Sequence, residues 1–162
     1  MTASASQTIH DLAFVRSHYI EMMFYPQAWQ SAPGSSPTWT GVEFPPKPRK
    51  LIPHKPGVYA FVVTPNLFDL EQASALFYIG KATNLYNRIG AYLGEIDGNF
   101  KKTDRPLVWK MINQWNGYLK YFYTVTATVA EAESLEDEML NAFRPPFNKD
   151  YEAEVSKVMR AM

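Results

Sequence analysis

The chain has 162 residues, carries 16 basic and 16 acidic side chains, and contains no cysteine. This length predicts one domain with an added arm, and the absence of cysteine excludes disulfides, a thiol nucleophile and cysteine-bound zinc. No apolar run of about 18 residues is present, so we expect no transmembrane helix, and the first residues lack the pattern of a secretory signal. We therefore expect a cytoplasmic protein that has no membrane partner.

The neutral total charge hides a segregation along the chain. Residues 47–120 contain eleven Lys and Arg against five Asp and Glu, whereas residues 131–154 contain eight acids against two basic residues. A net charge of zero argues against a protein that coats nucleic acid by charge alone, but the segregation allows one basic face for a polyanion. The alternative interpretation is the ordinary solvated charge of surface helices.

The first 56 residues predict a helix and then a long loop. Apolar residues recur at helical spacing over 8–25, and Pro26 ends this helix. Residues 26–56 are rich in proline, glycine and serine, and loops of this length are commonly functional or disordered. The aromatic residues of this loop and its basic stretch over 47–50 either contact nucleic acid or allow the arm to pack over the domain.

Periodicity and turn residues predict the remaining elements, with Asn84 as a helix N-cap and Pro106 in the first turn of the next helix. The predicted elements are strands over 57–63, 76–80 and 119–128, and helices over 84–93, 106–115, 130–143 and 152–161. This order predicts an α+β fold with a small three-stranded, mainly antiparallel sheet flanked by helices. The predicted boundaries are an N-terminal helix and arm over 1–52, a domain over 53–150 and a short C-terminal helix over 151–162.

A set of side chains spread over the predicted domain suits attack by water on a phosphodiester. Arg88 is suited to bind phosphate, because its planar guanidinium matches two oxygens and stays charged. Glu136 is suited to hold a hard divalent ion, which keeps most of its water shell and needs only one or two carboxylates. Tyr59 and Tyr78 end or follow strands, so we expect their hydroxyls at a site above the sheet. A phenol that acts as base needs its pKa lowered by metal-bound water, Lys81 or Arg88.

Each of these residues also has an ordinary structural interpretation. A tyrosine on a strand is usually a core residue, and Asn148 alone fits a turn. Glu131 and Glu133 compete with Glu136 as the ion ligand, and only the preceding leucine and the spacing to Asn148 select Glu136. The three histidines are not predicted to bind metal. We further expect substrate to contact the basic residues of the polar loop, which are Lys101, Lys102 and Arg105.

Five segments, taken in order, resemble the GIY-YIG nuclease family, and their motifs are closest to the nuclease domain of bacterial excinuclease C subunits. They are Gly57-Val58-Tyr59, Tyr78-Ile79-Gly80, the stretch from Lys81 to Ile89, Leu135-Glu136, and Arg144-Pro145-Pro146-Phe147-Asn148. The resemblance covers about residues 55–150 and implies the GIY-YIG fold. The chain differs from compact family members in a longer spacer over 60–77, and residues 1–50 contain no recognisable DNA-targeting module.

The resemblance implies a role for each aromatic and charged residue of the site. Tyr59 would contact the attacking water as base or orienter, and Tyr78 would support water or phosphate. Arg88 would bind the scissile phosphate, and Glu136 would hold one Mg²⁺ or Mn²⁺ ion per site. Lys81 would keep a phenol deprotonated or touch phosphate.

The remaining motif residues would support this chemistry. Asn148 would brace the site by hydrogen bonds, Gly80 would give the backbone room, and Gly57 would be a structural residue of the site. The implied activity is metal-dependent hydrolysis of DNA that leaves 5′-phosphate and 3′-hydroxyl ends, in repair, restriction, recombination or defence against mobile elements. The alternative is a nucleic-acid-binding subunit of a larger repair or restriction complex that cleaves little by itself. A homodimer formed through the aromatic arm is a further possibility.

Overall fold

A computed structural model describes residues 37–64, 74–143 and 145–148. Within these ranges, the strands are β1 (Thr40–Glu43), β2 (Gly57–Val63), β3 (Ala75–Ala82) and β4 (Leu119–Val125). The α-helices there are α1 (Leu85–Leu93), α2 (Pro106–Gln114) and α3 (Val129–Phe143), with short 3-10 helices at Arg49–Leu51 and Phe100–Lys102. The helices predicted over 8–25 and 152–161, and Arg144, lie outside the described residues.

The strands form one antiparallel sheet in the order β1-β4-β2-β3. In its register, Tyr59 of β2 lies opposite Gly80 of β3 and opposite Tyr123 of β4. The predicted α+β class and antiparallel sheet are confirmed. Because β3 is at the edge, the backbone groups on its outer side have no strand to pair with among the described residues, and other groups must satisfy them.

Helices cover both faces of this sheet. Helices α1 and α2 lie on one face, where their apolar residues join Tyr59 and Phe61 in the larger core cluster. Helix α3 lies on the other face and contributes Ala132 and Met139 to a second cluster with β2 and β3. This alternation follows the two-residue period of the strands, which sends successive side chains to opposite faces. No helix in the described ranges is long and apolar enough to cross a membrane.

The prediction of three strands and an unbroken loop over 26–56 is wrong, because β1 lies inside that loop and pairs with β4. Sequence patterns miss β1 because it has only four residues, Thr40–Glu43, and takes its stability from pairing rather than from an alternating pattern. The segment that follows β1 is also part of the core, since Phe44 and Ile52 are buried there. In its described part, the arm therefore packs over the domain.

The core position of this segment leads to a prediction about stability. Phe44 is 4% exposed and meets the ring of Phe61 edge-on at 5.2 Å between centroids. We expect Phe44→Ala to lower the free energy of unfolding by about 3–5 kcal/mol, because it leaves a cavity in the core. Chemical denaturation followed by circular dichroism measures this loss. The control is Leu51→Ala, which removes a side chain that is 49% exposed and should change stability by less than about 0.5 kcal/mol. Equal effects of the two substitutions would contradict the burial of the arm.

Candidate active site

Two of the predicted site residues satisfy the free edge of β3. The side-chain oxygen Oδ1 of Asn148 accepts the N–H of Ile79 at 2.9 Å, and its Nδ2 donates to the Ile79 carbonyl at 2.7 Å. Two residues further along the strand, the N–H of Lys81 donates to Oε1 of Glu136 at 3.0 Å. The amide and the carboxylate thus occupy positions that a neighbouring strand would otherwise fill, which fixes both side chains beside β3.

A cavity of about 560 Å³ wraps around this edge, between the start of α2 and the middle of α3. Four residues predicted for the site line it together with one predicted substrate contact: Tyr78, Lys81, Glu136, Asn148 and Arg105. The rest of its wall is partly acidic and partly apolar and consists of Asp104, Leu107, Val108, Asp137, Leu140 and Phe147. The structure therefore brings residues from four separate segments of the sequence to one surface.

Lys81 is held by two acids of α3. Its Nζ lies 3.1 Å from Oε1 of Glu133 and 3.5 Å from Oε2 of Glu136. The hydrogen bond to Glu133 is the main cause that raises the pKa of Lys81 above its ordinary value, and both carboxylates contribute. Lys81 is therefore a charged ammonium and a poor candidate for a base. Glu133, which the sequence offered only as a rival of Glu136, is the nearer partner of this lysine.

Glu136 has the properties of a ligand for a hard cation. Its side chain is 15% exposed, and burial raises the pKa of its carboxyl group, while Lys81 acts in the opposite direction. Among the described residues no group of three or more His, Cys, Asp or Glu side chains could hold a metal ion. One carboxylate is nevertheless enough for Mg²⁺, which binds proteins through one or two carboxylates and keeps several waters. The residues present fit this ion and no metal that needs a full set of protein ligands.

Tyr59 lies deeper than the sequence suggests. It is 1% exposed and is not among the residues that line the cavity. Its hydroxyl shares a hydrogen bond of 2.6 Å with the hydroxyl of Tyr92, and burial raises the pKa of Tyr59 well above its ordinary value. The expectation that this hydroxyl opens onto the site surface is wrong, because Tyr92 of α1 and Tyr121 of β4 pack against the ring. The half-buried Tyr78 is the phenol that reaches the cavity wall.

The two motif glycines make room for close contacts. A Cβ atom on Gly80 would meet the hydroxyl and ring of Tyr59, so only glycine fits beneath this phenol. A Cβ atom on Gly57 would meet the carbonyl oxygen of Thr124 and lie 2.9 Å from Cδ1 of Leu85. Gly57 therefore acts in the packing of β2 against β4 and α1, and Gly80 acts directly at the phenol.

Tyr59 and the three tyrosines whose rings contact it form the tyrosine cluster, and the three are Tyr78, Tyr92 and Tyr121. The sequence analysis assigned no chemical role to Tyr92 or Tyr121. Tyr92 contacts the Tyr59 ring at 5.6 Å, and Tyr121 stacks on that ring at 5.5 Å. The signal for Tyr92 was available, because it follows Arg88 by four residues and so lies on the same face of α1. For Tyr121, on β4, no comparable signal exists, since its partnership with Tyr59 depends on the strand order.

Arg88 lies on α1 and is exposed. Its charge lowers the pKa of the Tyr59 and Tyr121 phenols, although burial outweighs this effect in both. Arg88 is thus on the side of the sheet that carries the tyrosine cluster, but it is not among the residues that line the cavity. The guanidinium of the cavity wall belongs to Arg105.

The N-terminus of α1 offers no free backbone donors for a phosphate at its first turn. The N–H groups of Leu85 and Tyr86 donate to the carbonyls of Lys55 and Pro53 at 2.9 and 3.1 Å. The next N–H donates to Oδ1 of Asn84 at 3.0 Å, which confirms the predicted N-cap. An anion that approaches α1 must therefore be bound by side chains.

The loop over 94–105 connects α1 to α2 and is called the basic loop because it carries Lys101, Lys102 and Arg105. Side chains of α2 hold this loop in place. Nε1 of Trp109 donates to the carbonyl of Gly98 at 2.7 Å, and Asn113 bridges the carbonyl of Glu95 and the N–H of Asp97. Lys101 and Lys102 lie in the 3-10 helix of this loop and are exposed. Arg105 is half-buried and points its guanidinium over the ring of Tyr92, 4.6 Å from the centroid. The three predicted substrate contacts thus separate into two exposed cations and one inside the cavity.

Residues 55–149 match a protein-family model described as the UvrC-like GIY-YIG domain. The chain belongs to this family. The match covers more than half of the chain and includes every motif residue of the cavity.

Similar proteins carry the name UvrABC system protein C. The chain is 35% identical over 99 residues to that of Ureaplasma parvum serovar 3 and 32% identical over 101 residues to that of Caldanaerobacter subterraneus subsp. tengcongensis. In both cases the alignment covers 61% of this chain but only 14% of the relative's length. A similar solved structure is the GIY-YIG N-terminal endonuclease domain of UvrC from Thermotoga maritima bound to magnesium. It is 26% identical with a TM-score of 0.45, over 64% of this chain and 93% of that chain.

The Tyr121 hydroxyl leads to a second prediction about stability. This residue is fully buried, and its hydroxyl has no hydrogen-bond partner in the part of the chain that the structure describes. We expect Tyr121→Phe to raise the free energy of unfolding by about 1 kcal/mol, because it removes the desolvation penalty of an unpaired group. The control on the same strand is Tyr123→Phe, which removes a hydrogen bond of 3.0 Å to the Leu51 carbonyl and should cost about 1 kcal/mol. Urea unfolding measures the free energy of unfolding of both variants. A loss of stability in Tyr121→Phe would show that the Tyr121 hydroxyl is paired.

Proposed function

We propose that this chain is a metal-dependent endonuclease that hydrolyses DNA phosphodiester bonds by attack of water. The single observation that carries the proposal is the cavity at the edge of β3, where Tyr78, Glu136 and Asn148 meet. A phenol beside a cation-binding carboxylate suits the activation of water next to a phosphate. Family membership supports the same activity, because the family match over 55–149 spans all the residues that meet there.

Glu136 is the residue that holds the divalent ion in this proposal. An ion held there would act as a Lewis acid that stabilises the charge on the phosphoryl oxygens and on the leaving oxygen. The hydrogen bond from the Lys81 N–H fixes the carboxylate oxygen Oε1, and the other oxygen, Oε2, lies 3.5 Å from Nζ of Lys81, so an ion that binds Oε2 shares it with this ammonium. Lys81 keeps Glu133 as a charged partner, so its ammonium does not depend on Glu136 alone.

Tyr78 is the residue that orients the attacking water, because its phenol lines the cavity whereas that of Tyr59 does not. Tyr59 and Tyr92 lie behind it and hold the cluster in one arrangement through their shared hydrogen bond. Arg88 binds the scissile phosphate from α1. Its guanidinium is permanently charged and lies on the side of the sheet that carries Tyr59 and Tyr121. The products are a 5′-phosphate and a 3′-hydroxyl end.

Family membership also bears on the substrate and the partners. The chain spans about 14% of the length of the curated relatives it matches, so it corresponds to one module of those proteins. We propose that it acts on DNA in repair and that another subunit or segment supplies the choice of substrate. The alternative of a binding subunit with little cleavage predicts DNA binding without turnover by the isolated chain, and the next experiment separates the two.

The proposed metal and phosphate ligands give a direct test. We expect Glu136→Gln and Arg88→Ala each to slow cleavage of plasmid DNA at least about a hundredfold, or about 2.7 kcal/mol of transition-state stabilisation. The rate is measured by gel assay with Mg²⁺ and with Mn²⁺. The matched control is Glu138→Gln, the same substitution two residues further along α3 at a position outside the cavity wall. If the Glu136 and Arg88 variants cut as fast as this control, the assigned roles are wrong. If the unmodified chain binds DNA but does not cut it with either ion, the binding subunit is favoured.

The two exposed lysines of the basic loop give a separate test of DNA contact. We expect Lys101→Ala combined with Lys102→Ala to weaken DNA binding and to reduce the slope of log K against log salt concentration by about 0.9 for each phosphate that the lysines neutralise. Fluorescence anisotropy in the Glu136→Gln background measures binding without cleavage. Lys120→Ala removes a charge that pairs with Glu43 at 3.7 Å on the other side of the sheet, and it should leave the slope unchanged. An unchanged slope in the double variant would remove this loop from the DNA interface.

A further inference from the structure

The guanidinium of Arg105 lies against a ring of the tyrosine cluster, a contact that binding a phosphate does not need. Its guanidinium carbon lies 4.6 Å from the centroid of the Tyr92 ring, which is the geometry of a cation on an aromatic face. The residue is half-buried and lines the cavity that also contains Tyr78 and Glu136. Arg105 therefore supplies the guanidinium of the same cavity wall that carries the water-orienting phenol.

Tyr92 connects Arg105 to the rest of the cluster. Its hydroxyl shares the 2.6 Å hydrogen bond with Tyr59, and its ring meets those of Tyr59 and Tyr78 at 5.6 and 6.2 Å. The charge of Arg105 acts directly on Tyr92, where it lowers the pKa of the phenol, although burial outweighs this effect. A change in the position of Tyr92 is thus transmitted directly to Tyr59 and to the phenol at the cavity wall.

The backbone at Arg105 is fixed by its own loop. Its N–H donates to Oγ1 of Thr103 at 3.0 Å, and that hydroxyl donates to Oε1 of Glu95 at 3.2 Å. Arg105 is also the N-cap residue of α2, where its carbonyl accepts the N–H of Trp109 at 2.9 Å. The backbone of Arg105 is therefore fixed, and the contact with the Tyr92 ring places its guanidinium before substrate arrives, as a positioning group requires.

We infer that Arg105 is a positioning residue, which fixes Tyr92 and through it the Tyr59 and Tyr78 phenols for hydrolysis. The inference rests on the proposed nuclease function and adds a role for a residue that the sequence analysis expected only to contact substrate. A guanidinium on the ring face opposes rotation of Tyr92 away from Tyr59, and Tyr92 in turn packs against Tyr78, the phenol that orients water. A phosphate contact would instead leave the cluster unchanged in the absence of DNA.

The test combines kinetics with a readout that does not depend on cleavage. Arg105→Gln, Arg105→Lys, Tyr92→Phe and the double variant Arg105→Gln with Tyr92→Phe are compared at saturating DNA. We expect Arg105→Gln to lower kcat by about tenfold or more, because displaced catalytic groups no longer align with the substrate. Its DNA affinity, measured in the Glu136→Gln background, should stay within about twofold of the parent because a positioning residue binds no phosphate. Arg105→Lys should restore part of the rate, since an ammonium also binds an aromatic face.

The double variant distinguishes action through Tyr92 from independent action. If Arg105 acts through Tyr92, the double variant is no slower than the slower single variant; multiplied losses overturn the inference. A loss of affinity with a smaller salt slope and an unchanged kcat also overturns it, because that result describes a phosphate contact.

The readout without substrate uses protein labelled with ¹³C at the tyrosine ring. The signals of Tyr92 and Tyr59 should shift in Arg105→Gln and stay in place in the control Lys120→Gln, and unshifted signals overturn the inference. If these signals shift but the unmodified chain never cuts DNA, the positioning contact stands while the nuclease function fails. If the unmodified chain cuts and Arg105→Gln cuts equally fast, the inference fails alone.

Discussion

The unpaired edge of β3 is the constraint on which the candidate site depends. Its outward backbone groups need partners, because buried amide and carbonyl groups are costly when they are left unpaired. The Glu136 carboxylate and the Asn148 amide supply partners on this edge at Lys81 and Ile79, and the N–H of Phe147 adds a third at the Phe77 carbonyl at 3.0 Å. The groups that complete the sheet are therefore the groups that line the cavity. Residues that are far apart in the sequence meet at the cavity because they pair with the same edge of β3.

The main helices and strands were predictable from local patterns, whereas the pairing of β1 and the burial of individual side chains were not. A segment rich in β-branched and aromatic residues predicted β2, and Asn84 predicted the start of α1, because both signals act within a few residues. The family resemblance also implied that Tyr78 and Glu136 belong to one site, and both line the same cavity. The depth of Tyr59 and the pairing of β1 depend on which strands are neighbours, and no short pattern in the sequence contains that information. For the same reason the sequence could propose Arg105 as a cation but not the ring that it contacts.

The tyrosine cluster shows why the depth of a phenol matters for its chemistry. Burial raises the pKa of Tyr59 well above its ordinary value, so this phenol stays protonated and serves as a hydrogen-bonding group. The half-buried Tyr78 has the access to solvent that a group orienting water needs. Two tyrosines that look equivalent in the motif are thus separated by their environments into one that supports the cluster and one that faces the cavity.

Gly80 connects the pairing of the strands with the geometry of the site. It lies opposite Tyr59 in the β2–β3 register, where a Cβ atom would collide with the phenol. A slip of β3 by one residue would place Ile79 or Lys81 opposite Tyr59 and would turn every side chain of the strand to the other face. Because neither side chain fits beneath the ring, the register that admits Tyr59 is also the register that sends Tyr78 to the cavity and the Lys81 N–H to Glu136. The packing of one phenol on one glycine therefore fixes the strand that carries the site.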